Sequence, residues 1–267
     1  MLHTYKRARM RSVAVSAFVL VHGGWHGGWC WERVVPLLEQ VGHTVVAPDL
    51  PGHGRDRTPV SDRPYERYVP SIRGVVEAQP EPVILVGHSS GGMIITDVAA
   101  QRPERVRVLA YLSAFLLPLG VSPPEVMRDD AESVLVASVV VDAERGVTTV
   151  RPECAQAVFY GDCTDEDAAW AAGMLGAEPL MPRSSAATEP VAATSAEEIV
   201  TQVPRVYIEC LRDRALGPAT QRRMYTAMPC ARVYSLTTSH SPFISAPEEL
   251  AACLLDVAAT FDTPVRD

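Results

Sequence analysis

The 267-residue chain lacks several features that would each point to a particular class of protein. It has no excess of basic residues, since its formal net charge is −8 and its sequence pI is about 5.4, which argues against a nucleic-acid-binding protein. It has no uninterrupted apolar run of about 18 residues, so no membrane-spanning segment is expected. Its six cysteines form no C-x-x-C pair and no metal-ligand spacing, which indicates free thiols in a reducing compartment. We therefore expect a cytoplasmic protein that needs no metal and no cofactor.

The composition is that of a soluble globular domain, because 47% of the residues are apolar and 21% are charged. A chain of this length buries a large core without support from disulfides or metals. Basic residues at 6–11 precede an apolar run at 13–21, which superficially resembles a signal peptide. No small-residue cleavage site follows that run, and it leads directly into a glycine-rich loop at 22–24. Residues 1–11 are therefore predicted to form a basic, loosely held leader.

Short apolar runs alternate with helix-length segments along most of the chain, which predicts an α/β fold with a mostly parallel sheet covered by helices. The predicted strands are 17–21, 44–47, 82–86, 106–112, 206–210 and 232–236. The predicted helices are 30–41, 65–78, 90–101, 219–228 and 248–261. The alternation stops over residues 115–200, where prolines, aromatic residues and a helical piece at 167–175 indicate a folded insertion. We predict a core formed by residues 12–114 and 201–267, with a lid at 115–200.

Residues 87–91 have the form G-x-S-x-G, between an apolar strand and a helical pattern. In this context a nucleophilic serine sits on a sharp, strained turn, so that its hydroxyl projects above the sheet. Side chains two residues before and two after it would collide, and glycine fits both places. The motif therefore predicts Ser89 as a nucleophile, and the alternative is an ordinary glycine turn.

The order of residues along the chain predicts the partners of Ser89. In hydrolases with this motif the acid and then the histidine follow the serine. Of the seven histidines only His240 lies beyond Ser89, so it is the predicted general base. Asp213 comes just after the strand at 206–210 and is the predicted acid, whereas Glu209 lies inside the strand and is a poorer candidate. The alternative for Asp213 is a surface aspartate paired with a neighbouring arginine.

The glycine-rich loop after the first strand predicts an oxyanion hole. The hole in such enzymes uses the backbone N–H after the nucleophile and another from this loop, which assigns it to Ser90 and Gly24. His22 is expected to brace the loop and not to catalyse. Four further residues are predicted to contact the substrate: Trp25, His88, Phe115 and Phe159.

Residues 18–31, 47–54 and 87–92 together resemble the plant methylesterase and hydroxynitrile lyase group and its bacterial esterase relatives. The segments 206–213 and 240–242 are similar to the acid strand and the histidine loop of that group, and the likeness covers nearly all of the chain from Ala17. The resemblance implies the α/β-hydrolase fold, with the lid inserted after the sixth strand. It also implies a serine hydrolase that acts on a small-molecule ester, and it is compatible with a homodimer.

Two positions bear on the reaction that the resemblance implies. The related hydroxynitrile lyases carry a threonine after the first-loop histidine and a lysine after the catalytic histidine. Gly23 and Ser241 occupy these positions here, which favours ester hydrolysis of a small to medium hydrophobic substrate through an acyl-enzyme. The alternatives are lactone hydrolysis, C–C cleavage of the lyase type, and a hydrolase-like protein that binds a ligand with little turnover.

Overall fold

The computed structural model describes residues 15–59, 64–118, 120–180 and 203–261. The predicted leader, residues 1–11, and the predicted end of the lid, residues 181–200, lie outside these ranges. The strands in the described ranges are β1 Ala17–Val21, β2 Thr44–Val46, β3 Val83–His88, β4 Val106–Leu112, β5 Val139–Asp142, β6 Val147–Val150, β7 Glu178–Pro179, β8 Arg205–Cys210 and β9 Arg232–Leu236. The α-helices in them are α1 Val35–Glu39, α2 Tyr65–Glu77, α3 Gly91–Gln101, α4 Pro123–Arg128, α5 Leu135–Ser138, α6 Pro152–Phe159, α7 Asp165–Met174, α8 Pro218–Ala227, α9 Pro242–Ser245 and α10 Pro247–Phe261.

Six of the strands form one sheet in the order β2-β1-β3-β4-β8-β9, and every neighbouring pair is parallel. The prediction of a mostly parallel sheet is therefore confirmed. In a parallel sheet all the carboxyl ends lie at one edge, and the crevice outside that edge is where ligands bind. Ser89 directly follows β3, and Asp213 is the third residue after the end of β8.

The core consists of two apolar clusters, one on each face of the sheet. Successive side chains of a strand point to opposite faces, so β3 contributes Ile84 and Val86 to one cluster and Val83 and Leu85 to the other. The first cluster also contains apolar side chains of α1, α9 and α10, and the second contains those of α2 and α3. The near-continuous apolar sequence of the inner strands follows from this burial on both faces.

One predicted helix is divided in the structure. Residues 30–41 were expected to form a single helix, but a 3₁₀ turn at Gly28–Trp31 is followed by a separate short helix, α1. Pro36 explains the break, because proline has no N–H and is tolerated only in the first turn of a helix. The remaining core helices begin and end within one or two residues of their predicted positions.

The segment after β4 forms helices α4–α7 and a small antiparallel sheet, β5-β6-β7. The sequence predicted no strands here. A hairpin turn with Gly146 at φ 64° joins β5 to β6, and β7 is only two residues long, so neither gives a clear alternating pattern. In this chain the insertion follows the fourth strand of the described residues, whereas the resemblance implied a position after the sixth.

None of the helices in the described ranges has the length and apolar character that crossing a bilayer requires.

The central strand gives a test of the core. Ile84 is fully buried in β3, so replacing Ile84 by alanine leaves a cavity and is expected to lower the free energy of unfolding by about 2–5 kcal/mol. Urea unfolding followed by circular dichroism measures the change. Val41→Ala is the control, because that side chain is 50% exposed and its loss should change the free energy by less than about 0.5 kcal/mol. Equal effects of the two substitutions would contradict this description of the core.

Candidate active site

Ser89 has the backbone geometry of a strained turn. Its φ is 53°, in the left-handed region that a residue with a side chain adopts only under constraint. A Cβ on Gly87 would lie 2.7 Å from the carbonyl oxygen of Gly91, and one on Gly91 would lie 2.8 Å from that of His22. Both flanking glycines are thus required by close backbone contacts. The Ser89 carbonyl in turn accepts the N–H groups of Gly92 (3.1 Å) and Phe115 (3.0 Å).

The predicted acid and base form a buried hydrogen bond. His240 donates its Nδ1–H to Oδ2 of Asp213 at 2.6 Å, and both residues are at most 2% exposed. Asp213 Oδ1 accepts the backbone N–H groups of Ala215 (2.7 Å) and Leu216 (2.9 Å), which fixes the carboxylate. With the proton on Nδ1, His240 carries its free lone pair on Nε2, the atom that a general base presents to a serine.

The Ser89 hydroxyl forms no hydrogen bond with any residue in the described ranges. Of the two hydrogen bonds of the predicted triad, the one between His240 and Asp213 is therefore formed, and the one between Ser89 and His240 is not. Such bonds are often long or poorly aligned in ligand-free hydrolases and tighten when substrate binds. The residue before Ser89 contacts the histidine loop, because the ring of His88 is centred 4.5 Å from the ring of His240.

Ser113 is a functional candidate that the sequence reasoning missed. It follows β4 with φ at 40°, and its hydroxyl donates to Asp213 Oδ2, the same oxygen that accepts the proton of His240. Its Oγ also lies 3.4 Å from Nδ1 of His240. The available signal was its position, because a polar residue at the carboxyl end of a central parallel strand faces the site.

Two histidines hold the glycine-rich loop. His22 donates Nδ1–H to the carbonyl of Gly23 (2.8 Å) and accepts the N–H of Leu50 on Nε2 (3.0 Å). His26 donates Nδ1–H to the carbonyl of Gly24 (2.8 Å) and accepts the hydroxyl of Tyr160 on Nε2 (2.9 Å). Each imidazole is therefore a donor on one side and an acceptor on the other, which requires the neutral form.

Burial keeps these imidazoles neutral. It lowers the pKa of His26 to about 3, and burial together with the neighbouring His53 holds the pKa of His22 well below its ordinary value. The loop is thus held by fixed dipoles and not by titrating charges. Within the described part of the chain, the backbone N–H groups of Gly24 and Ser90 donate no hydrogen bond to another residue.

The four predicted substrate residues lie in different settings. Trp25 is half-buried, and its ring centroid is 6.0 Å from that of Phe159, which also lies 5.7 Å from His240. His88 is fully buried and donates Nε2–H to the carbonyl of His240 (3.0 Å), so its contacts are those of a residue that supports the histidine loop. Phe115 packs into the apolar cluster on the α2–α3 face. Their contact with substrate stays a prediction.

Three polar side chains of the insertion contact the loops around Ser89. Tyr160 bonds to His26 as described above. Asp162 accepts the backbone N–H of Ser239 at 3.0 Å, next to His240. Glu178 accepts the backbone N–H of Trp25 at 3.1 Å. The insertion therefore packs over the carboxyl edge of the sheet. Within the described ranges no group of three or more His, Cys, Asp or Glu side chains is arranged to hold a metal ion.

Comparison with known proteins agrees with this geometry. The model of the alpha/beta hydrolase family matches residues 18–253, which is most of the chain. The chain belongs to the alpha/beta hydrolase family. This hydrolase is 36% identical over 259 residues to the pyrethroid hydrolase of Sphingobium wenxiniae, with 92% of this chain and 89% of the relative covered. It is 30% identical over 254 residues to methylesterase 17 of Arabidopsis thaliana, with 91% of each chain covered.

Solved structures show the same fold. A pyrethroid hydrolase from Sphingobium faniae JZ-2 superposes with a TM-score of 0.76 at 31% identity, over 92% of this chain and 98% of that one. Tomato methylketone synthase I gives a TM-score of 0.79 over 93% of this chain and 100% of that one, and at 24% identity it shows the fold alone.

Gly23 gives a test of the packing around Ser89. A Cβ at this position would lie 2.7 Å from Cβ of Ser89 and 3.0 Å from Nδ1 of His88, so Gly23→Ala must displace the nucleophile. We expect kcat/KM for an ester to fall on the order of 10²-fold, the cost of a misplacement of about 1 Å.

The matched control is Gly74→Ala, an exposed position inside α2 with open space around its Cα. It should leave kcat/KM unchanged and raise the free energy of unfolding by up to about 1 kcal/mol. Unchanged activity of Gly23→Ala would contradict the described contact.

The buried histidines predict acid lability. His22, His26 and His88 have pKa values lowered by burial, so below pH about 6.5 the unfolded chain binds more protons than the folded protein. Each one lowers the free energy of unfolding by up to about 1.4 kcal/mol per pH unit as the pH falls. Urea unfolding at pH 7.5, 6.5, 5.5 and 5 measures this slope, and His26→Gln should reduce it. A free energy independent of pH across this range would contradict the assignment of neutral imidazoles.

Proposed function

We propose that this alpha/beta hydrolase is a serine esterase that cleaves carboxylic esters of small to medium hydrophobic substrates through an acyl-enzyme on Ser89. The observation that carries the proposal is the buried 2.6 Å hydrogen bond between His240 and Asp213, at the sheet edge where Ser89 occupies its strained turn. The relatives named methylesterase and pyrethroid hydrolase support the ester as the substrate class.

Acylation begins with Ser89. Nε2 of His240 takes the hydroxyl proton as Oγ attacks the ester carbonyl, and Asp213 stabilises the imidazolium that forms. The N–H groups of Gly24 and Ser90 hold the oxyanion of the tetrahedral intermediate. Fixed donors of this kind each lower the barrier by about 3–4 kcal/mol.

The second half of the cycle releases the acid. The alcohol leaves with the proton from His240, water then attacks the acyl-enzyme with His240 again as the base, and the carboxylic acid departs. No metal ion or organic cofactor takes part in this sequence. The chemistry needs only the three side chains and the two backbone donors.

The insertion acts as the lid in this proposal. In the described part of the insertion, Phe159 lies beside Trp25, and we assign these two rings together with Phe115 to the substrate pocket. The buried His88 supports the histidine loop behind them. An apolar wall of this kind favours a hydrophobic acyl or alcohol group. The protein acts in the cytoplasm on a small-molecule ester, with a homodimer as its proposed assembly.

The geometry at two positions disfavours lyase chemistry. A threonine in place of Gly23 would bring its Cβ within 2.7 Å of Ser89 Cβ, so the present backbone has no room for it. Ser241, where the lyases carry lysine, is fully buried and its hydroxyl is neutral. The chain therefore lacks the charged group that would stabilise a leaving cyanide.

Hydrolysis of p-nitrophenyl esters of increasing acyl length tests the proposal. Ser89→Ala should lower kcat by at least about 10⁴-fold, because it removes the nucleophile on which the other groups act. A mass increase equal to the acyl group, located on Ser89 after rapid quenching, would show the intermediate directly.

Ser71→Ala is the matched control, since this half-buried serine lies on α2, away from the site, and should leave kcat unchanged. Full activity of Ser89→Ala would show that Ser89 is not the nucleophile, and absence of turnover by the parent on every ester would favour a ligand-binding protein.

A further inference from the structure

Glu178 is a largely buried carboxylate of the insertion that lies against the glycine-rich loop. Its Oε2 accepts the backbone N–H of Trp25 (3.1 Å) and Nε2–H of His53 (2.8 Å). The same oxygen would lie 3.4 Å from a Cβ on Gly24, and the Ser90 hydroxyl oxygen would lie 3.7 Å from that Cβ. The carboxylate is therefore beside the two residues whose N–H groups are the proposed oxyanion donors.

The loop needs external contacts to hold its shape. Gly23 and Gly24 have no side chains to restrict their backbone angles, and Trp25 adopts φ at 61°, which a residue with a Cβ avoids. The peptide that joins Gly24 to Trp25 is held by hydrogen bonds on both sides. Its carbonyl accepts the Nδ1–H of His26, and its N–H donates to Glu178. The Gly24 N–H belongs to the preceding peptide, whose carbonyl accepts the Nδ1–H of His22. Cα of Gly24 joins the two peptide planes, so a rotation of the Gly24–Trp25 peptide can change the direction of the Gly24 N–H.

Two further hydrogen bonds join Trp25 to the insertion. Its carbonyl accepts the N–H of Gly176 (2.7 Å), and its indole N–H donates to the carbonyl of Thr148 (3.2 Å). Thr148 pairs with Glu178 across β6 and β7, and Gly176 lies two residues before Glu178, so the three contacts come from β6, from β7 and from the segment just before β7. Of the three groups that the insertion contributes, only Glu178 uses its side chain, so this contact is the one that a substitution in the insertion can remove.

His53 balances the charge that Glu178 would otherwise bring to the hole. A bare carboxylate beside a developing oxyanion opposes it, whereas a hydrogen-bonded and paired one does not. Burial lowers the pKa of His53, but the hydrogen bond and the charge of Glu178 outweigh burial and leave the pKa above its ordinary value. The hydrogen bond from His53 thus offsets part of the negative charge of Glu178 while the same oxygen accepts the N–H of Trp25.

We infer that Glu178 is a positioning residue of the oxyanion hole, which acts through the Trp25 peptide and has His53 as its partner. This inference rests on the proposed function, since it needs an oxyanion to be held by Gly24 and Ser90. It makes the insertion part of the catalytic apparatus as well as a wall of the pocket.

Substitution of Glu178 tests the inference. Glu178→Met keeps the length of the side chain and removes the acceptor, and Glu178→Gln keeps an acceptor oxygen. We expect Glu178→Met to lower kcat for p-nitrophenyl acetate by on the order of 10–100-fold, less than the loss of a whole donor, with KM changed less than about threefold. Glu178→Gln should retain most of the kcat of the parent enzyme.

A trifluoromethyl ketone gives the second readout. Ser89 adds reversibly to its carbonyl carbon, His240 takes the serine proton, and the carbonyl oxygen becomes an oxyanion in the hole. Its inhibition constant should rise for Glu178→Met by the same factor as kcat/KM falls, whereas the binding of an alcohol that carries no oxyanion should not change. Titration of active sites with a p-nitrophenyl phosphonate corrects each rate for the folded fraction, and Glu166→Gln, an exposed change in α7, is the control.

The outcomes separate this inference from the proposed function. An active parent, an inactive Ser89→Ala and a Glu178→Met variant with parental kcat per titrated site would overturn the positioning role alone. If Glu178→Met fails to fold, Glu178→Leu and Glu178→Ala, which also lack the acceptor, take its place, and parental kcat and inhibition constant in whichever of them folds would overturn it. An active Ser89→Ala would remove the proposed function itself.

Discussion

The left-handed backbone at Ser89 is the constraint on which the surrounding structure depends. To keep φ at 53° the chain must have bare backbone on either side, and this brings the carbonyls of His22 and Gly91 into the space that side chains would otherwise occupy. On the other side of the turn, the N–H of Phe115 donates a hydrogen bond to the carbonyl of Ser89 and so connects the segment after β4 to the turn. Strain at one residue is thus balanced by contacts from two segments that are distant in sequence, at His22 and Phe115, and by its own neighbour Gly91.

Around this turn the protein uses neutral imidazoles as structural hydrogen-bonding groups. His22, His26 and His88 are each buried, and each contacts a backbone carbonyl of a loop at the site. A buried imidazole offers one donor and one acceptor in a fixed direction, which suits it to joining two loops. His240 differs from them in facing a carboxylate, and that difference separates the proposed base from the histidines that support it.

The sequence was sufficient to predict the parts of the fold and site that depend on local patterns. Apolar runs gave the strands of the parallel sheet, the flanking glycines gave the turn at Ser89, and the order along the chain selected His240. The roles of Ser113 and Glu178 could not be predicted in this way, because they depend on partners about 100 and 153 positions away. The hairpin of β5 and β6 was missed because its exposed valines do not alternate with polar residues.

The contacts of Tyr160, Asp162 and Glu178 have a consequence for how such a chain can diversify. The segment that we propose as a wall of the substrate pocket also forms hydrogen bonds with the loops around Ser89 and His240, so its sequence must satisfy two requirements at once. A change of substrate preference by replacement of this segment would succeed only when the new segment supplies equivalent anchors to His26, Ser239 and Trp25. Exchange of whole segments with their anchors intact is then an easier evolutionary route than the accumulation of single substitutions within them.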